Sequence, residues 1–174
     1  AVYDVTSAVM LSGETAAGKY PVECVKAMDK IARNAEKHIN YAKRLRLDER
    51  EYNTLDEKIA EITVSTAHKI GADAIVTYTK TGRSVETLAG FGAVCPILAI
   101  TDDKKTYNQL ALIWNVTPLL VESKETITKT IENGIHKFKE NGIVEDGDLL
   151  YLAGGREYIK GVKESKRIGG IVIA

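Results

Sequence analysis

Cysteine is scarce. Cys24 and Cys95 are the only two in 174 residues, and they stand far apart. A disulfide scaffold or a cysteine metal site needs more of them at closer spacing, so this pattern argues against both. His38, His68 and His136 stand without partner ligands at metal spacing, and no metal site is expected. An excess of charge is also missing: 24 Lys and Arg face 24 Asp and Glu. Nothing in that balance favours nucleic acid or an anionic membrane as partner. No apolar run is long enough to span a bilayer and no secretory leader pattern is present, so the expected location is the cytoplasm. There is no internal repeat, no low-complexity tract and no initiating Met. The chain starts inside a pattern, so a piece of a longer protein is expected.

What is present is an alternation. After a first apolar run, Ala8 to Leu11, expected to be a buried strand, residues 21–40 carry Val22, Val25, Met28, Ile31, Ala32, Ala35 and Ile39 at helical spacing, with Pro21 in the first turn. Residues 43–52 are almost all charged and lack an apolar period, which places a domain boundary near Asp48, between 1–47 and 48–174. Thr54-Leu55-Asp56-Glu57 is a capping box opening a helix that runs to Ile70 and stops at Gly71, with Leu55, Ile59, Ile62 and Thr66 on one face. Strands follow at 74–78, 97–101, 117–121, 149–153 and 170–173, with helices at 84–91, 104–113 and 125–140. Ser123 is the expected cap of the last helix, whose apolar face is Ile127, Ile131, Ile135 and Phe138. Such alternation specifies an α/β fold, a mostly parallel five-stranded sheet covered on both faces in three layers.

Three loops carry candidate chemistry. The strongest is Thr79, Lys80, Thr81, Gly82, Arg83 and Ser84, between an apolar strand and a short helix. Gly82 lets the backbone approach an anion, helix-start N–H groups point outward, and the hydroxyls and two cations suit phosphate. The plainer alternative is an ordinary turn with Ser84 as helix cap. A second loop, Gly13 to Lys19, nearly spells a nucleotide P-loop, but Tyr20 and Pro21 stand where the motif needs a Ser or Thr for magnesium. The third crowds Gly154, Gly155, Arg156, Lys160, Lys163, Lys166 and Arg167 together, and by charge alone it reads as a solvated basic loop. No Gly-x-Gly-x-x-Gly follows any strand, which disfavours an NAD enzyme.

Residues 8–16, AVMLSGETA, followed by Gly18 and Tyr20-Pro21, resemble the last barrel strand and following loop of the pyruvate kinase family. Residues 79–84 are similar to the family's effector loop, and residues 96–101 and 110–118 to two further family segments. Val5 and Ser7 depart from the usual Gly and Asp, and residues 89–95 and 165–174 depart as well. The resemblance implies the tail of a (β/α)8 barrel joined to a carboxy-terminal effector domain with strand order 3-2-1-4-5, the last strand antiparallel. It implies a regulatory role: binding a phosphorylated effector through Thr79 to Ser84 with Gly155 and Arg156, and supporting an oligomer, a tetramer in the parent. The parent would move phosphate from phosphoenolpyruvate to ADP with magnesium and potassium. Its other barrel strands supply that machinery, so this chain alone is expected to be inactive and to hold no cofactor, and only Ser12 would border the parent active site. The alternative is a stand-alone sugar-phosphate or nucleotide-binding module of the same fold.

Overall fold

Residues 74–78 are buried on both faces, and that fixes where the first strand lies. In a computed structural model, which describes residues 1–4, 6–41, 43, 54–122, 126–153 and 170–174, β1 (Ala74–Tyr78) is the middle of a five-stranded sheet. The other strands are β2 (Ile97–Thr101), β3 (Val116–Leu120), β4 (Leu149–Ala153) and β5 (Gly170–Ile173). Their order is β3-β2-β1-β4-β5. Ile75 pairs with Ile97 and Tyr151, Ile97 with Val116, all parallel, while Leu149 pairs antiparallel with Ile173. The fold class read from the sequence holds, and so does the strand order that the resemblance implied.

Alternate residues of each strand feed two cores. On one face, Ile75, Ile97, Ala99 and Tyr151 meet α3 (Leu55–Ile70), α4 (Arg83–Gly90) and α5 (Lys104–Leu110) through Val64, Leu88 and Leu110. On the other, Val76, Leu98, Ile100 and Leu150 meet α6 (Ile127–Glu140) through Ile131 and Phe138. The capping box of α3 is complete: the Thr54 hydroxyl accepts from the Glu57 amide, and the Glu57 carboxylate accepts from the Thr54 amide at 2.9 Å. Gly71 ends the helix at φ 67°.

Five expectations are corrected. Residues 8–11 are not a buried strand: Val9 and Met10 are exposed, Met10 at 84%, and none of the described strands pairs with them. The face of α3 that holds Leu55, Ile59, Ile62 and Thr66 does not carry the core contacts. Leu55 and Ile62 are exposed, and the buried stripe is Ala60, Thr63, Val64 and Ala67, whose small side chains let the helix sit close to the sheet. The cap of α6 is Thr126, whose hydroxyl accepts from the Lys129 amide; Ser123 lies outside the described residues, as does the expected boundary near Asp48. The first long helix, α2 (Pro21–Glu36), stops four residues short of 40, and the third-strand helix α5 ends at Leu110 rather than 113.

Gly134 shows how tightly α6 is seated. A Cβ there would lie 2.4 Å from Ile100 Cδ1 and 2.8 Å from Cγ1, and Ile100 is fully buried. Overpacking a core typically costs about 1–3 kcal/mol, more than the roughly 1 kcal/mol of helix propensity that Ala gains over Gly. Gly134→Ala is therefore predicted to lower the denaturant midpoint. Adding Ile100→Val, which removes the nearest atom, is predicted to make the Gly134→Ala penalty smaller. A Gly134→Ala protein more stable than wild type would refute this close packing.

Candidate functional site

Parallel strands deliver their carboxyl ends to one edge, and the crevice opens where connections leave neighbouring strands in opposite directions. Here that point lies between β1 and β4. The connection out of β1 is the loop 79–82 leading into α4.

Each residue of this loop has a defined place. Thr79 is buried at 5% exposure, its amide donates to the Ile100 carbonyl at 2.9 Å, and its hydroxyl accepts from the Gly82 amide at 3.0 Å. Its side chain works inside the turn. Gly82 caps α4 at φ 80°, a left-handed conformation that disfavours any other residue, and its Cβ position faces Leu110 Cδ2 at 3.4 Å. The Gly82 carbonyl accepts from the Val85 and Glu86 amides, starting the helix. Ser84 therefore sits in the first turn and does not cap it; the cap is Gly82. Lys80, Thr81, Arg83 and Ser84 are all exposed. Among the described residues, the amides of these four, the hydroxyls of Thr81 and Ser84 and the charged ends of Lys80 and Arg83 make no hydrogen bond or ion pair. Unused donors at a helix start attract an anion, and both cations reinforce them. Gly155 and Arg156, with the rest of the basic loop, lie outside the described residues.

The loop is held from behind by a helix that sequence reading did not connect to it. The Thr106 hydroxyl, on α5, donates to the Lys80 carbonyl at 2.8 Å. Thr106 is itself fixed, because its amide donates to Asp103 Oδ1 at 2.7 Å, and the Asp103 amide donates to the Thr101 hydroxyl at 3.2 Å. Asp103-x-x-Thr106 is a legible helix cap. Its reach across 26 residues to Lys80 leaves no mark in the sequence.

Ser12 is exposed and stands before α1 (Gly13–Ala16) without a side-chain cap bond. Its amide donates to Glu14 Oε2 at 2.9 Å, and its carbonyl accepts from the Thr15 hydroxyl at 3.1 Å. The backbone N–H groups of Glu14 and then Ser12 hold the Glu14 carboxyl below its ordinary value. A Cβ on Gly18 would lie 2.1 Å from the Glu14 carbonyl oxygen, so the loop closes only with glycine there. No hydrogen bond among the described residues joins this loop to residues 79–84. The described residues contain no group of three or more His, Cys, Asp or Glu placed to hold a metal ion. His136 instead pairs with Glu140 at 3.3 Å along its own helix. None of the described helices is long and apolar enough to cross a membrane.

The Asp103 cap yields a pH prediction. The Thr106 amide, which donates to Asp103 Oδ1, is the foremost cause that lowers the Asp103 pKa. A carboxyl lowered in the fold stabilises above its unfolded pKa, and that stability is lost as pH falls through the lower folded value. Asp103→Ala is predicted to melt below wild type at pH 7, with the gap closing from about pH 4 downward. Thermal unfolding at several pH values tests it; a gap that stays constant to pH 2 would remove Asp103 from the support of the loop.

Comparison with known proteins adds an independent line. A family model described as the pyruvate kinase alpha/beta domain matches residues 57–166. The pyruvate kinase of Clostridium acetobutylicum is 38% identical over 157 residues, covering 89% of this chain and 33% of that protein. That of Thermotoga maritima is 34% identical over 157 residues, with the same coverage. A crystal structure of a pyruvate kinase from Cryptosporidium parvum superposes with a TM-score of 0.79 at 27% identity, covering 95% of this chain and 32% of that one. The chain thus spans about a third of the length of these relatives.

Proposed function

The chain belongs to the pyruvate kinase family, within which it comprises the carboxy-terminal alpha/beta domain, and from that premise we propose that it is a regulatory unit that binds a phosphorylated metabolite at residues 79–84. The observation that carries this reading is the loop itself. Four backbone amides, two hydroxyls and two exposed cations stand unused at the carboxyl edge of the sheet, at the switch point beside β4. A phosphate group presents several acceptors to such a set, and Arg83 is able to grip two of them in parallel. Gly155 and Arg156, which follow β4 in the sequence, are proposed as further ligand contacts.

The same premise gives the chain a context. Residues 1–47 would complete a catalytic barrel that transfers phosphate from phosphoenolpyruvate to ADP, with Ser12 bordering its active site, and the domain would help an oligomer pack. The exposed apolar side chains of Met10, Val22, Val25 and Ile31 support a missing cover over this segment. Phosphoryl transfer needs metal-held phosphates and a cation on the moving group, and the proposal assigns those parts to the other barrel strands.

Binding is testable directly. Hydrogen bonds involving a charged group contribute about 1.5–3 kcal/mol, and 1.4 kcal/mol is a factor of ten. Arg83→Ala and Thr81→Ala are each predicted to weaken fructose bisphosphate, AMP or inorganic phosphate, whichever binds, by about tenfold or more in calorimetry. Their melting temperatures should stay near wild type, since both side chains are exposed. Lys163→Ala, in the distal basic loop, should change affinity little. Equal affinity in wild type and Arg83→Ala, or no heat at millimolar ligand, would reduce the loop to an ordinary turn.

A further inference from the structure

The same four residues, Glu-Asn-Gly-Ile, stand at 132–135 and again at 140–143. These are the only two places in the chain where Gly follows Asn. Such a pair is open to ring closure, because glycine has no Cβ to shield its main-chain nitrogen from the side-chain amide before it. Local sequence is identical at the two sites, so a difference in their chemistry comes from the fold.

The fold treats the two differently. Asn133 lies in the middle of α6, where each amide bonds the carbonyl four residues back. Thr130, Ile131, Gly134 and Phe138 around it are buried, so freeing the Gly134 nitrogen means unwinding the helix against its core. Asn141 caps the end of the same helix, and both Asn141 and Gly142 are exposed. Gly142, at φ 65°, closes the helix together with Ile143. The Gly142 amide donates to the Lys139 carbonyl at 2.9 Å, and the Ile143 amide to the Phe138 carbonyl at 2.9 Å. Bonds at a helix end open far more readily than those of its interior. A neighbouring pair, Asp146-Gly147, is protected in another way. The Lys139 ammonium donates to Asp146 Oδ1 and holds that carboxyl below its ordinary value, and an ionised carboxylate is a poor electrophile.

We propose that Asn141 is a site of spontaneous modification, converting to aspartate and isoaspartate, and that the isoaspartate form opens the cap of α6. The Gly142 nitrogen gives up its proton to solvent base and bonds to Asn141 Cγ. The bond from Cγ to the side-chain nitrogen breaks, that nitrogen leaves as ammonia, and a cyclic imide remains. Water then adds to one of the two imide carbonyls. Opening at the new bond gives aspartate with the original main chain. Opening at the old peptide bond gives isoaspartate, whose main chain runs through the former side chain and is longer by a methylene. That methylene moves the Gly142 and Ile143 amides away from the carbonyls they bond. Val144 comes next: it is buried in the same core as Phe138, and its amide donates to the Phe138 carbonyl at 3.3 Å. Loss of the cap therefore reaches a core residue. Both products also place a negative charge at a helix carboxyl end, which the helix dipole disfavours.

Peptide mapping by mass spectrometry, on the whole chain aged at mildly alkaline pH, tests the first half. In the folded chain Asn141 should convert at least about tenfold faster than Asn133, because the helix end opens more often than the helix interior. In denaturant the two should convert within about twofold of each other, since their neighbours are the same. Equal rates in the folded chain would overturn the assignment, as would an Asn141 that stays intact while the denatured chain converts. Thermal melting tests the second half. The isoaspartate form, isolated by ion exchange and identified by peptide mapping, should melt about 2–4 °C below fresh protein, the shift that losing a helix cap gives in a chain of this size. Asn141→Asp, which adds the charge without the methylene, should fall by less. Asn141→Gln, whose longer side chain closes a ring far more slowly, should keep its melting temperature through ageing. An isoaspartate form that melts with fresh protein, or an aged Asn141→Gln that falls as far as aged wild type, would overturn the effect on the cap.

Discussion

The hydrogen bond from the Thr106 hydroxyl to the Lys80 carbonyl is what gives the end of β1 its shape. A strand that runs out of sheet partners has no reason to turn sharply. Here Thr79 is tied to Ile100 on the neighbouring strand, Gly82 is turned back onto the Thr79 hydroxyl, and Thr106 holds the carbonyl between them. The backbone acceptor of Lys80 and the Thr79 side chain are thereby used up inside the loop. Donors are what remain on the outside: the amides of Lys80, Thr81, Arg83 and Ser84 and two hydroxyls that are able to donate. The proposed anion site would rest on this outward set of donors.

This division depends on a core that asks nothing of the loop. Ile75 and Val76 are fully buried on opposite faces of the sheet, as are Ile97 and Leu98. Side chains as fully packed as these leave the backbone at the strand ends little freedom. Three of the buried polar residues, Thr79, Thr101 and Thr106, lie at the ends of β1 and β2 and the start of α5, where their hydroxyls shape turns. The same logic recurs at Trp114, where Asn115 spends its side chain on two carbonyls to hold one aromatic ring in place.

Much of this was legible because it is local. The capping box at Thr54, the stop at Gly71, the strand at 74–78 and the glycine at 82 follow from neighbours within a few residues. The strand order came from family resemblance, since no periodicity specifies which strands pair. What escaped was non-local. Thr106 reaches Lys80, and Trp114 reaches Glu36, across stretches that no propensity spans. The run Ala8 to Leu11 misled for the opposite reason. Its apolar side chains signal burial correctly, but no described strand pairs with it. On α3, larger apolar side chains drew attention to the wrong face, while the buried stripe is Ala60, Thr63, Val64 and Ala67. The role of Ser84 turned on one left-handed glycine, which moved the cap two residues back.

The central claim is that the outward amides of this loop are an anion receptor. Nuclear magnetic resonance tests it most directly, by following the backbone amides of the whole chain while inorganic phosphate or fructose bisphosphate is added. The account predicts that the amides of Lys80, Thr81, Arg83 and Ser84 shift together along one saturating curve, with the amides of β3 unmoved. No shift in these four, or small linear shifts spread evenly over the surface at constant ionic strength, would contradict it.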